Sequence, residues 1–137
     1  HEPHVALAAL TGRTDGLICL TGAGEGALAR LLAEGQQAAA IGYAEKLEAL
    51  FPGRLYVELA RRGDVIEEAA EEPLIDLAYS RALPLVATNP ACFAEAEFHP
   101  AHDAMLCIAQ SAYVESEDRR RSSPQSWLKP AEAMEDA

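Results

Sequence analysis

The sequence is poor in basic residues, and it lacks any long uninterrupted apolar run. Its 11 Lys and Arg residues stand against 22 Asp and Glu residues, which gives a formal net charge of −11 in 137 residues. Because binding to phosphates needs clustered cations that release counterions, this balance argues against direct binding of DNA. No apolar run approaches the roughly 20 residues that cross a bilayer, and no segment resembles a signal peptide, so no membrane association is expected.

Cysteine and aromatic residues are also scarce. The three cysteines, Cys19, Cys92 and Cys107, are far apart and odd in number, which favours reduced thiols in the cytoplasm over a disulfide framework. Aromatic residues make up only 6% of the chain while half of its residues are apolar, a composition typical of helices rich in Ala and Leu. The length allows one domain with a core of its own.

Three short apolar runs alternate with helical patterns. We predict strands at 16–21, 55–59 and 85–88, the first and the third of them buried, with two helices after the first strand and one helix after each of the others. Residues 64–72 are predicted to be an acidic connection, with Pro73 in the first turn of the helix that follows. This order predicts an α/β fold with about three parallel strands and flanking helices, too few strands to close a barrel.

The chain begins with His1 rather than Met and ends at Ala137 within a predicted helix. We therefore expect a piece of a longer protein. Within it, residues 1–14 are predicted to form a linker-like start and residues 15–114 the β/α units. Residues 115–137 are predicted to form a charged loop and a last helix that starts near Pro130.

A glycine turn follows the first predicted strand. Gly22-Ala23-Gly24-Glu25-Gly26-Ala27 fits the dinucleotide pattern G-x-G-x-x-[GA], placed between a strand and a helix. However, Glu25 puts a negative charge where a pyrophosphate would meet the helix N-terminus. The nearest acid at a strand end, Glu58, lies well beyond the ~20 residues expected for a ribose-binding carboxylate. A tight turn with close packing is the favoured interpretation, and a nucleotide-binding regulatory domain is an alternative.

Two further groups of residues could carry chemistry. Cys92, His99 and His102 are donors that zinc accepts, but their spacing matches no recognised zinc pattern and a fourth ligand is not obvious. We expect Cys107 to be a core residue, and His102-Asp103 to cap the helix and fix the loop before it.

The arginines are predicted to serve in ion pairs or in solvated loops. Glu58 at a strand end could pair with Arg61 or Arg62, and a guanidinium offers no lone pair to a metal. The run 119–121 consists of arginines whose charge is expected to be neutralised by acids in the same loop: Glu115, Glu117 and Asp118.

Four separated segments resemble a known family, and the segment 83–108 contains the clearest motifs. Residues 83–93 read LPLVATNPACF and residues 102–108 read HDAMLCI. This frame is similar to the L-P-x-V-A-T-N-D-x-H-[YF] and H-D-A-L-L-C-I segments in the PHP (polymerase and histidinol phosphatase) domain of bacterial replicative DNA polymerase III alpha subunits. Further similar segments occur in the same order at 16–22, 54–63 and 127–134. The composition resembles the alphaproteobacterial type of this family.

The resemblance implies the C-terminal half of a distorted β/α barrel whose metal site is degenerate. Ala23 stands where metal-binding members have Cys, Arg62 where many members have His, and Pro90 and Cys92 where the family has Asp and His. It therefore implies no catalytic residue, no metal ligand and no cofactor-binding residue in this chain. The polymerase carboxylates of the family belong to a palm domain outside it, toward which residues 115–137 would lead.

The same resemblance implies partners. The parent chain would be a DNA-directed DNA polymerase, a nucleotidyltransferase, and this segment would support the polymerase without activity of its own. It would also help to form the surface that binds the proofreading exonuclease subunit. An active PHP phosphoesterase or proofreading half-site with unusual ligands is the alternative. Because an open sheet leaves an edge uncovered, the segment is also expected to dimerise.

Overall fold

The computed structural model describes residues 4–136, so residues 1–3 of the predicted linker-like start lie outside it. The chain divides into two compact units. Among the described residues, the sheet unit comprises 4–59 and Val65–Val86, and the loop unit comprises Ala60–Asp64 and 87–136. The predicted division at residues 14 and 114 remains a prediction.

The sheet unit contains three parallel strands, as predicted, in an open sheet. Their order is β1-β2-β3, with Cys19 of β1 opposite Leu55 of β2 and the N–H of Val57 donating to the carbonyl of Pro84 at 2.9 Å. The strands are β1 Cys19–Leu20, β2 Leu55–Leu59 and β3 Leu85–Ala87, whose last residue is assigned to the loop unit. The helices of the sheet unit are α1 Ala27–Ala33, α2 Gln37–Leu50 and α3 Val65–Ser80. The α/β class and the predicted order of strands and helices are confirmed.

The core of the sheet unit joins α1, α2 and α3 to the central strand β2. Its largest fully buried side chains are Leu28 of α1 and Val57 of β2. Small side chains let the helices approach one another closely, and the buried members of this cluster are Leu28, Ala29, Leu32, Ala40, Ala44, Val57, Ala70, Leu74, Leu77 and Ala78. Ile41 of α2 is 37% exposed.

The first strand is shorter and more exposed than predicted. Only Cys19–Leu20 pair with β2, and Leu17, Ile18 and Leu20 are 47%, 66% and 48% exposed. The prediction of a buried strand over 16–21 was wrong. The prediction of a buried third strand was wrong as well, since Leu85 of β3 is 37% exposed. Both predictions failed because β1 and β3 are the edge strands of the open sheet, a position that an apolar run alone does not reveal.

Helix α3 corrects the prediction of an acidic connection. It begins at Val65 and contains Pro73 in its interior, although a proline inside a helix costs about 3 kcal/mol relative to alanine. Burial of Ala70, Leu74 and Leu77 offsets this cost. The acidic residues Glu67 and Glu68 lie in the first turn, where negative charge is favoured by the helix dipole.

The loop unit contains α4 His99–Gln110 and α5 Ala131–Glu135. Pro130 is the N-cap of α5, so the last helix starts where it was predicted. Residues 111–130 contain no helix and are held by hydrogen bonds, among them Cys92 N–H to the carbonyl of Ser126 at 2.8 Å. Throughout residues 4–136, every helix is too short or too polar to span a membrane.

Candidate functional site

The glycine turn of the sheet unit, residues 22–27, is tight and closely packed. Gly22 has a φ of +84°, and its carbonyl accepts hydrogen bonds from the N–H groups of Glu25 at 3.0 Å and Gly26 at 2.8 Å. A Cβ added at Gly26 would lie 1.9 Å from the carbonyl oxygen of Thr21. The interpretation as a tight turn with close packing is therefore confirmed.

Glu58 closes the turn from the end of β2. The N–H of Gly22 donates to Oε2 of Glu58 at 2.8 Å, and the N–H of Glu58 donates to Oγ1 of Thr21 at 2.8 Å. A phosphate in this turn would have to displace the Glu58 carboxylate while Glu25 stands at the helix start, so the geometry disfavours an anion here. The predicted ion pair of Glu58 with Arg61 or Arg62 remains a prediction.

Ala23 occupies the buried centre of the same turn. It is 5% exposed and adopts a φ of +42°, a left-handed conformation that is uncommon for residues other than glycine. Its methyl group has no lone pair to offer a metal. The position therefore contributes packing and turn geometry.

The loop unit has a polar network that the sequence did not reveal. Arg119 donates to both carboxylate oxygens of Asp103, at 2.8 Å and 2.7 Å, and its side chain is only 3% exposed. The N–H of Ser122 donates to the same carboxylate at 3.1 Å, and Nε of Arg119 donates to the carbonyl of Val114 at 3.0 Å. These bonds fasten the charged loop to α4.

Two predictions about this region were wrong. His102-Asp103 do not cap α4, because the helix begins at His99 and both residues lie within it. Asp103 holds the loop that follows the helix rather than the one before it. Arg119 pairs with Asp103 instead of the neighbouring acids, because the loop folds back over the helix and brings together residues 16 apart.

Both histidines of the predicted zinc set contact Ser122. Nε2 of His99 lies 2.9 Å from its carbonyl oxygen and Nδ1 of His102 lies 2.6 Å from its Oγ, while the ring of Phe93 lies 5.3 Å from the ring of His102. Cys92 is exposed, with Sγ 3.8 Å from the carbonyl of Pro90. Within residues 4–136, no three His, Cys, Asp or Glu side chains are grouped so that they could hold a metal.

Charge and burial shift the pKa values of Asp103, Arg119 and Cys19. The Arg119 guanidinium, and after it the N–H of Ser122, hold the pKa of Asp103 far below its usual range, and Asp103 in turn raises the pKa of Arg119. Burial raises the pKa of the Cys19 thiol, which keeps it protonated. Cys107 is buried, as predicted.

Sequence comparison relates most of the chain to DNA polymerases. It is 43% identical over 97% of its length to the DNA polymerase III subunit alpha of Caulobacter vibrioides, and 36% identical over 88% to that of Pseudomonas aeruginosa. An error-prone DNA polymerase of Symbiobacterium thermophilum is 34% identical over 97% of the chain. The resemblance to DNA polymerase III alpha subunits is confirmed. No protein-family model matches the chain.

The similarity to polymerase III alpha subunits extends through both units, because it covers 133 residues of this chain. The chain spans only 12%, 10% and 12% of the length of these three relatives. What it resembles is therefore one segment of a much longer polymerase chain.

We predict that the Asp103–Arg119 pair makes the loop unit sensitive to acid. Because the pKa of Asp103 is lower in the folded than in the unfolded chain, its stabilising contribution is complete above about pH 4 and is lost as the pH falls further. Asp103→Asn should lower the urea midpoint at pH 7, and the difference from the wild type should shrink below about pH 4. Fluorescence of Trp127, the only tryptophan, reports on the same unit.

The matched control is Asp118→Asn, an exposed acid in the same loop. It should leave the urea midpoint almost unchanged across this pH range. Equal behaviour of the two variants at every pH would show that the ion pair does not hold the loop.

Proposed function

We propose that the chain is part of the PHP domain of a replicative DNA polymerase III alpha subunit and acts as a structural segment in DNA replication. The observation that carries this proposal is the 43% identity over 97% of the chain to such a subunit. The parent chain would be a DNA-directed DNA polymerase, and the open sheet would be completed into a distorted barrel by other parts of that chain. The cytoplasm is the proposed location.

The metal site of the family is proposed to be degenerate here. Ala23 is a buried methyl group, Arg62 carries a cationic guanidinium, and Pro90 has no side-chain donor. Cys92 alone retains a donor atom, and a single protein ligand does not hold zinc or manganese against water. These four positions support a structural rather than a phosphoesterase role.

Metal analysis tests this role directly. The chain is dialysed against Zn²⁺ or Mn²⁺ and then against buffer, and bound metal is measured by mass spectrometry beside a Cys92→Ala variant. We expect far less than one equivalent in both proteins. One equivalent that is lost in Cys92→Ala would instead support the active half-site with unusual ligands.

Docking of the proofreading exonuclease subunit is proposed as a second role. Calorimetric titration of the chain with purified exonuclease subunit should give a saturable signal, whereas titration with a primer–template should give none because the net charge is −11. A saturable signal with DNA, or none with the exonuclease, would contradict this role.

A dimer of the chain is also proposed, and the exposed edge strand β1 offers a surface for it. Sedimentation of the chain alone measures whether this dimer forms.

A further inference from the structure

Residues 113–122 lie against α4 through polar contacts, and we call this segment the strap. Its two apolar residues, Tyr113 and Val114, are 80% and 53% exposed, so they contribute little to packing. The N–H of Arg120 donates to Oε1 of Gln110 at 3.1 Å, an exposed contact with the end of the helix. A segment that buries few apolar side chains opens at a lower free energy than a packed core does.

The other contacts of the strap with α4 pass through Asp103 and Ser122. The Asp103 carboxylate accepts two hydrogen bonds from Arg119 and one from the N–H of Ser122. Ser122 also meets the helix at Nε2 of His99, 2.9 Å from its carbonyl oxygen, and at Nδ1 of His102, 2.6 Å from its Oγ. Because these bonds share two residues, the loss of one weakens the others, and the strap is expected to leave the helix as a whole.

Both ends of the strap are attached independently of these contacts. Before it, the N–H of Ala112 donates to the carbonyl of Cys107 at 2.9 Å. After it, Oγ of Ser123 donates to the carbonyl of Arg62 at 2.8 Å, and the N–H of Leu128 donates to the carbonyl of Phe93 at 2.9 Å. These bonds lie outside residues 113–122, so the strap can leave α4 while its ends stay in place.

The strap lies over the Cys107 thiol. Cys107 is 4% exposed and follows Asp103 by one helical turn, on the side of α4 that Arg119 covers. Asp103 first, and Cys107 among the other groups, raise the pKa of Arg119, as expected if the guanidinium is near the sulfur. A buried thiol is inert because the reagent must reach its thiolate. Opening of the strap is therefore measurable as chemical modification of Cys107.

We propose that the strap opens as one two-state element, fastened at Asp103, and controls the access of solvent to Cys107. Opening frees His99, His102 and Asp103 from Ser122, so the polar side of α4 and its thiol become accessible together. The strap involves neither the glycine turn nor the degenerate metal positions, so the inference does not depend on the proposed function.

Thiol labelling of the full chain tests the proposal. The chain reacts with N-ethylmaleimide at several urea concentrations below the unfolding midpoint, and peptide mass spectrometry follows Cys107, with the exposed Cys92 as internal reference. We expect the labelling rate of Cys107 to depend only weakly on urea, because opening of the strap exposes little surface. Asp103→Asn should raise this rate at least about tenfold, since it removes charge-assisted hydrogen bonds. Asp118→Asn, an exposed acid of the same strap, should leave it unchanged.

Hydrogen exchange of the wild type separates opening of the strap from unfolding of the whole loop unit, and it needs no variant. The N–H of Ser122 should exchange at least about tenfold faster than that of Leu128. Equal exchange rates would overturn the proposal. So would labelling of Cys107 with the full urea dependence of the unfolding followed by Trp127 fluorescence, or a folded Asp103→Asn variant that is labelled like the wild type.

Discussion

Gly26→Ala is expected to destabilise the chain by more than about 3 kcal/mol, beyond the usual cost of adding one methyl group to a packed site. The added Cβ would lie 1.9 Å from the carbonyl oxygen of Thr21 and 2.9 Å from its carbonyl carbon. Both are backbone atoms, so no rotamer change relieves the overlap. The turn must open, which breaks the hydrogen bonds from the Gly26 N–H to the carbonyls of Gly22 at 2.8 Å and Ala23 at 3.0 Å.

Gly42→Ala is the matched control for this experiment. Gly42 lies inside α2, and a Cβ there would meet nothing within 4 Å. The same substitution should stabilise the chain by about 0.5–1 kcal/mol, because glycine is entropically unfavourable within a helix. Urea unfolding followed by circular dichroism measures both variants. A Gly26→Ala variant as stable as Gly42→Ala would mean that the chain does not pass so closely over Thr21.

The order of strands and helices could be predicted because short apolar runs and helical spacing are local signals. Residues 55–59 were predicted as a strand and form β2 with the same bounds. Gly35 has a φ of +72° just after α1, the left-handed conformation in which a glycine commonly follows the end of a helix. The predictions that were wrong concern properties set by residues distant in the sequence. The exposure of β1 depends on its place at the sheet edge, and α3 extends through Pro73 because its neighbours are buried.

The same contrast between local signals and distant contacts holds for the candidate sites. The favoured interpretation of the glycine turn was accessible from the sequence, since glycines beside Glu25 indicate a turn rather than an anion site. The contact of Glu58 with Gly22 joins residues 36 apart, and the pairing of Arg119 with Asp103 depends on how a loop folds back. The charged loop contains several acids and arginines that look equivalent in the sequence. The sequence therefore does not show which arginine pairs with an acid on a helix, as Arg119 does with Asp103.

Leu28→Ala is expected to have the other large effect, a loss of about 2–5 kcal/mol in the free energy of unfolding. Leu28 is 1% exposed and belongs to the cluster that joins α1 and α3 to β2. Truncation to alanine removes the transfer free energy of the missing methyl and methylene groups and leaves a cavity. Few neighbours can move in to fill it, because several of them, including Ala29, Ala70 and Ala78, are alanines whose side chains cannot extend.

Leu17→Ala provides the comparison, since the same atoms are removed from a side chain that is 47% exposed beside the edge strand. Its cost should stay below about 1 kcal/mol, because little apolar area leaves water there on folding. Urea unfolding at neutral pH measures both variants, and their slopes should match that of the wild type if only the folded state is affected. Equal losses for Leu28→Ala and Leu17→Ala would show that α1 does not pack on β2 through Leu28. If only Leu28→Ala lowers the free energy of unfolding, then the packing of α1 and α3 on β2 stabilises the sheet unit.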